Sequence, residues 1–236
     1  MDDLGLIVLV SWLAGVAAFL GAIMASVLAR AKFEAKQELT HGIIAFGGGI
    51  LVSAVALALV PEGISALNPW LLAVTFCAGG VIFCCLDCYL AQKGGSQAQF
   101  MAMLMDFVPE AISLGAVFAH NRKLGILLAV FIGAQNLPEG FNSFRELVAS
   151  KIRPGKVLVV ILAASLLGPV AACLGYLLLQ EQPQITAGIM TFASGGILYL
   201  IFQDIAPQVP LRLHWTPPLG AVLGFMVGML GQALIG

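Results

Sequence analysis

The stretch VLVVILAASLLGPVAACLGYLLL, from Val157 to Leu179, carries no charged residue. A bilayer core is ~30 Å thick, and roughly 20 apolar residues cross it as an α-helix, so this run is predicted to span a membrane. Working outward from it, apolar runs between charged or Pro/Gly/Asn-rich breaks fall at 4–28, 42–60, 70–90, 100–120, 124–144, 185–205 and 219–235, eight predicted spans in all. Composition agrees: the chain is 60% hydrophobic and 10% charged, where soluble domains carry about 25% charged residues. Continuous strands are excluded because open sheet edges cannot face lipid, and the alternation of an outer-membrane barrel is missing. The expected fold is therefore all-α, a polytopic membrane protein whose 236 residues form one transmembrane domain, 1–236. The lipid bilayer is its first partner. A net charge of -1 with no long basic run excludes a nucleic-acid partner.

Asp2 and Asp3 precede the first run, while Arg30, Lys32 and Lys36 follow it. That order reverses a cleavable signal, so the run is read as a true span. The loops after spans 1, 3, 5 and 7 share one side and, with Arg145 at the end of span 5, carry nine of the eleven Lys and Arg residues; only Arg122 and Lys123 lie opposite. The positive-inside rule makes the rich side cytoplasmic, in a cell membrane, with both termini outside. Cys77, Cys84, Cys85, Cys88 and Cys173 all fall in apolar spans, where disulfides are not expected. Paired and spaced glycines, such as Gly79-Gly80, Gly195-Gly196 and Gly220, Gly224 and Gly228, read as places where helices approach closely in lipid.

An ionisable group at bilayer depth costs about 2.5 to 3.5 kcal/mol on insertion scales, so each one asks for a reason. Asp106 and Glu110 lie in span 4, Glu139 in span 5, Asp204 near the end of span 7 and Asp87 near the end of span 3. The surrounding segments repeat: Asp106-Phe107-Val108-Pro109-Glu110-Ala111 and Gln135-Asn136-Leu137-Pro138-Glu139-Gly140. Spans 4 and 5 run antiparallel, so a Pro-Glu step at matching depth has inverted-repeat character, with helices broken near the midplane. Asp106 and Glu110 stand at i and i+4, as do Gln135 and Glu139, and each pair shares a helical face. The prolines would also release the carbonyls of Met105 and Ala134. Three clustered carboxylates need protons or a cation among them, since no Lys or Arg lies in the middle of any span. A divalent metal fits, and its binding would depend on pH. Ordinary kinks with acids paired for stability would explain one acid poorly and three worse.

These residues resemble the ZIP family of divalent-metal transporters, whose fourth and fifth helices carry a His-Asn-x-Pro-Glu-Gly type motif. Gln135 to Gly140 match it closely and Asp106 to Ala111 more loosely. The resemblance extends to eight spans, to His41 with a Gly-rich second span ending in Pro61-Glu62-Gly63, and to Gly195 through Asp204 in span 7. It implies a primary metal position at Asp106, Glu110, Gln135 and Glu139, with Asp106 where many members have histidine. It implies a neighbouring secondary position at Phe107, Asn136 and Gly168, of which only Asn136 keeps a ligand, so a single-metal site is expected. Asp204 would be a transit ligand on the cytoplasmic side. An all-oxygen set suits Mn2+, Fe2+, Mg2+ or Ca2+ on ligand hardness, with a divalent first-row metal expected, while Zn2+ or Cd2+ compete on affinity.

The expected function is transport of a divalent metal (Zn, Mn, Fe or Cd) into the cytosol as substrate, with no organic cofactor and a homodimer admitted. The alternative is a proton-coupled transporter of another cation or small solute, with the acids as relay. An intramembrane hydrolase is disfavoured, because no H-E-x-x-H pair occurs and His41, His120 and His214 all sit at span ends. Cys84 and Cys88 admit a soft metal way-station or plain helix packing.

Overall fold

The computed structural model describes residues 3–31, 35–92, 98–212 and 214–235. Among them the chain is helical, with no strand beyond an isolated bridge between Leu211 and His214. Seven helices are long and apolar enough to cross a membrane: α1 (Asp3–Arg30), α2 (Lys36–Ala66), α3 (Pro69–Leu90), α4 (Phe100–Phe118), α5 (Arg122–Ala149), α6 (Pro154–Leu179) and α7 (Pro183–Gln208). A shorter apolar helix, α8 (Leu219–Ile235), follows and packs along α2. The predicted spans are thus all helical, with ends extended by the polar residues that flank them. Lys32 and Lys93, counted on the basic side, lie outside the described residues.

Four helix pairs are drawn together by reciprocal glycine contacts. In α1 and α5, Gly21 meets the backbone at Leu137 and Gly140 the backbone at Ala18. In α4 and α6, Gly115 meets Ala172 and Gly175 meets Ile112. In α2 and α8, Gly49 meets Ala221 and Gly224 meets Phe46; in α3 and α7, Gly79 meets Phe192 and Gly195 meets Phe76. Each contact is glycine against a carbonyl, the close approach that small residues permit where lipid supplies no hydrophobic drive. Exchanging α1 with α6, α2 with α7, α3 with α8 and α4 with α5 maps the four pairs onto one another. Each exchange joins helices an odd number of places apart in chain order, so the same pairing pattern recurs across α1 to α8.

The prolines act differently from expectation. α4 and α5 run on through Pro109 and Pro138 without a break. Pro138 is seated against Gly47 of α2, and such packing lets a spanning helix tolerate a missing N–H. The interruption falls in α6, between Ala164 and Leu167, where Pro169 cannot bond the Ser165 carbonyl and the Gly168 N–H takes it at 3.3 Å. In α2 and α7 the turns Val55–Leu59 and Ile201–Ile205 widen to π-helix, each just before a proline, Pro61 and Pro207. These two π turns exchange under the same pseudo-symmetry, and the second carries Asp204.

Candidate metal centre

α4 and α5 lie side by side at the middle of the bundle and turn their polar faces toward each other. Asp106, Glu110, Gln135, Asn136 and Glu139 are all buried, none exposing more than 9% of its surface. The Gln135 amide donates to the Glu110 carboxylate. The Asp106 and Glu139 carboxyl groups line the same small cavity. Asp106 Oδ1 also accepts from the Phe107 N–H at 2.7 Å. Two oxygens of this cluster, Gln135 Oε1 and Glu139 Oε2, are buried without a hydrogen-bond partner, and they belong to residues at i and i+4 on one face of α5. Buried polar atoms nearly always have partners, so two orphans on one face mark a place suited to a positive ligand.

Asp106 and Glu139 share with Asp204 the wall of a cavity of ≈ 20 Å³, closed by Leu51, Ile197 and Leu200. That volume suits one water or one ion. Asp204 is thus beside the acids of α4 and α5, nearer than its place at the end of a span suggests. Gln135 is paired with Glu110, while Asp106 and Glu139 face the cavity. Among the described residues no three His, Cys, Asp or Glu groups stand in a geometry that holds a metal ion.

Asn136 faces away from this set: its Nδ2 donates to the Ala14 carbonyl of α1 at 2.9 Å. Phe107 and Gly168 do come together, as one packing unit. A Cβ on Gly168 would lie 2.7 Å from the tip of the Phe107 ring, and one on Gly15 would lie 2.9 Å from it. The ring fills the space between α1, α4 and α6.

Two larger cavities flank the centre. One of ≈ 260 Å³ is lined by Glu62, by Val117 of α4 and His120 just beyond its end, and by Thr186 and Met190 of α7. The same two helices line the ion-sized cavity further along, through Asp106 and Asp204, so the two cavities share one seam with Glu110 between them. The other, of ≈ 470 Å³, opens where α2 begins. Sequence reasoning gave Glu62 and His120 no role in a common cavity. Their only signal was a carboxylate and an imidazole at the same-side ends of spans 2 and 4. Asp87 accepts the Tyr199 hydroxyl at 2.9 Å, and all five cysteines are free thiols.

One similarity bears on the chemistry. Over 109 residues the chain is 32% identical to the zinc transporter GufA of Myxococcus xanthus. The match covers 46% of this chain and 43% of that protein, less than half the relative's length. No protein-family model matches the chain. The protein is an all-helical membrane protein with a zinc transporter as a partial relative.

Proposed function

We propose that the protein is a divalent-metal transporter of the ZIP type, which takes its ion at a single centre made by Asp106, Glu110, Gln135 and Glu139. The observation that carries this reading is the pair of orphaned oxygens, Gln135 Oε1 and Glu139 Oε2, buried beside three carboxyl groups with no cation of the protein's own to neutralise them. A doubly charged ion answers both needs. It would compete with protons for these carboxyl groups, and binding would therefore weaken as pH falls. Asp204 would receive the ion next, from the same small cavity.

The seam between α4 and α7 is the proposed route. The ion enters the cavity at Glu62 and His120, passes Glu110 and reaches Asp106, Glu139 and Asp204. The charge bias of the loops assigns the Lys- and Arg-rich side to the cytosol, so movement is inward, with α8 as an eighth crossing and both termini outside. The filled space at Phe107 and Gly168 supports one ion per chain. The zinc of the partial relative and the oxygen-only donors point to Zn2+, Mn2+, Fe2+ or Cd2+.

The clustering of buried carboxyl groups favours a second reading, in which the acids relay protons for another cation. One experiment separates them: uptake of 65Zn and 54Mn into vesicles holding purified protein, with and without a chelator. Asp106→Ala and Glu139→Ala are expected to abolish metal uptake while leaving folded protein. Normal metal uptake by the double variant removes the centre from these residues. Transport of another solute that ignores the chelator supports the relay.

A further inference from the structure

The cavity where α2 begins has the wrong sign for a cation. Its volume is ≈ 470 Å³ and its walls are Lys36, Gln37, Thr40, His41, Arg145 and Leu211. Every ionisable group on them is basic or an imidazole. Arg145 stands in the last turns of α5 with its guanidinium 5.8 Å above the Phe141 ring, and among the described residues no carboxylate pairs with it. Of the acids nearest in sequence among the described residues, Glu38 holds His214 at 3.5 Å and Glu146 has interactions of its own, while Glu34 lies outside the described residues. Lys36 is fixed to this wall, its Nζ donating to the carbonyls of Ala29 at 2.8 Å and Ala31 at 3.3 Å. His41 Nδ1 is buried with no partner. Ala35 gives α2 no side-chain cap, so its first-turn N–H groups add a partial positive charge beside the cavity.

An exposed Arg near the end of its span, with no carboxylate beside it among the described residues, is open to an anion. We propose that this cavity binds a phosphate-class anion, with Arg145 as the forked donor to two of its oxygens and Lys36, His41 and Thr40 completing the shell. Arg suits this task because its planar guanidinium matches phosphate in pairs of hydrogen bonds. The phosphate comes either from an anionic lipid headgroup of the adjoining leaflet or from free phosphate in solution. The site stands independently of what the acids of α4 and α5 carry.

The test is the melting midpoint of the full-length protein in phosphatidylcholine nanodiscs, titrated with inorganic phosphate against chloride at matched ionic strength, and separately with phosphatidylglycerol added to the discs. A saturable rise with phosphate, weakened roughly tenfold or more in Arg145→Gln, supports the site with a soluble source. A rise with phosphatidylglycerol alone, weakened equally in that variant, supports it with a lipid source. Lys36→Gln carries the same readings if Arg145→Gln does not fold. Equal responses of wild type and variant, or no response of the wild type to either probe, overturn the proposal.

Discussion

Asn136 shows how one residue in a recognisable motif can leave the chemistry to its neighbours. It sits between Gln135 and the Pro-Glu step, yet its amide is spent on the Ala14 carbonyl at 2.9 Å. Its replacement by Ala is therefore expected to lower stability by ~0.5–2 kcal/mol, the range of a buried hydrogen bond, and to leave metal affinity nearly unchanged. Parallel melting and metal-binding titrations check this; a loss of affinity matching that of Glu139→Ala would return Asn136 to the centre. Gln135, Glu110, Asp106 and Glu139 were legible as a set because their i, i+4 spacing fixes which side of the helix they share. Which of them bond to one another was not legible, because that depends on the rotation of α4 against α5. The closeness of Asp204 was hidden for the same reason, since α7 is remote in sequence.

Phe107 and Gly168 belong to the scale of elements, where bulk on one helix answers its lack on another. Gly168→Glu alone meets the Phe107 ring and is expected to fold poorly. Phe107→Asp, which removes the ring and leaves Gly168 in place against the Ser11 carbonyl, is expected to raise the bound metal from about one to about two ions per chain, read by elemental analysis of purified protein. A stoichiometry that stays at one argues that the ring does not stand in the place of a second ion. The helix pairs offer a sharper comparison. A Cβ on Gly140 falls on the Ala18 carbonyl, whereas a Cβ on Gly188 meets nothing within 4 Å. Gly140→Ala should cost about 1–3 kcal/mol through overpacking, and Gly188→Ala should be neutral or stabilising. Denaturation of the two variants side by side reads the difference, and equal effects would mean that α1 and α5 do not pack through this contact. The helices themselves were evident from apolar runs. The breaks were not: Pro109 and Pro138 look like the stronger candidates, but both helices run on through them, Pro138 seated against Gly47, and the chain yields at Ser165 and Leu166 instead.

At the scale of the whole molecule, the four glycine-sealed pairs and the two matching π turns describe two inverted halves around α4 and α5. Such halves can rock about the centre and present it to one side and then the other. The proposed inward direction presupposes a cytosolic basic side, and a labelling experiment reads that sidedness directly. In a background without the native cysteines, Gly155→Cys is expected to react with an impermeant maleimide only from the cytosol, and Glu181→Cys only from outside. The reverse pattern would invert the topology and the direction with it.

By itself the sequence determined the solvent and the chemistry. Apolar runs long enough to cross a bilayer admit only helices there, because backbone groups must be satisfied within the chain, and carboxylates in those runs demand a positive partner. Only the tertiary structure decided which acids meet, which asparagine turns away, where Phe107 fills a gap and where Arg145 is left without a carboxylate. Those outcomes depend on how far one helix is rotated and slid against another, and that is set by glycine contacts between segments far apart in the chain, which no local pattern records.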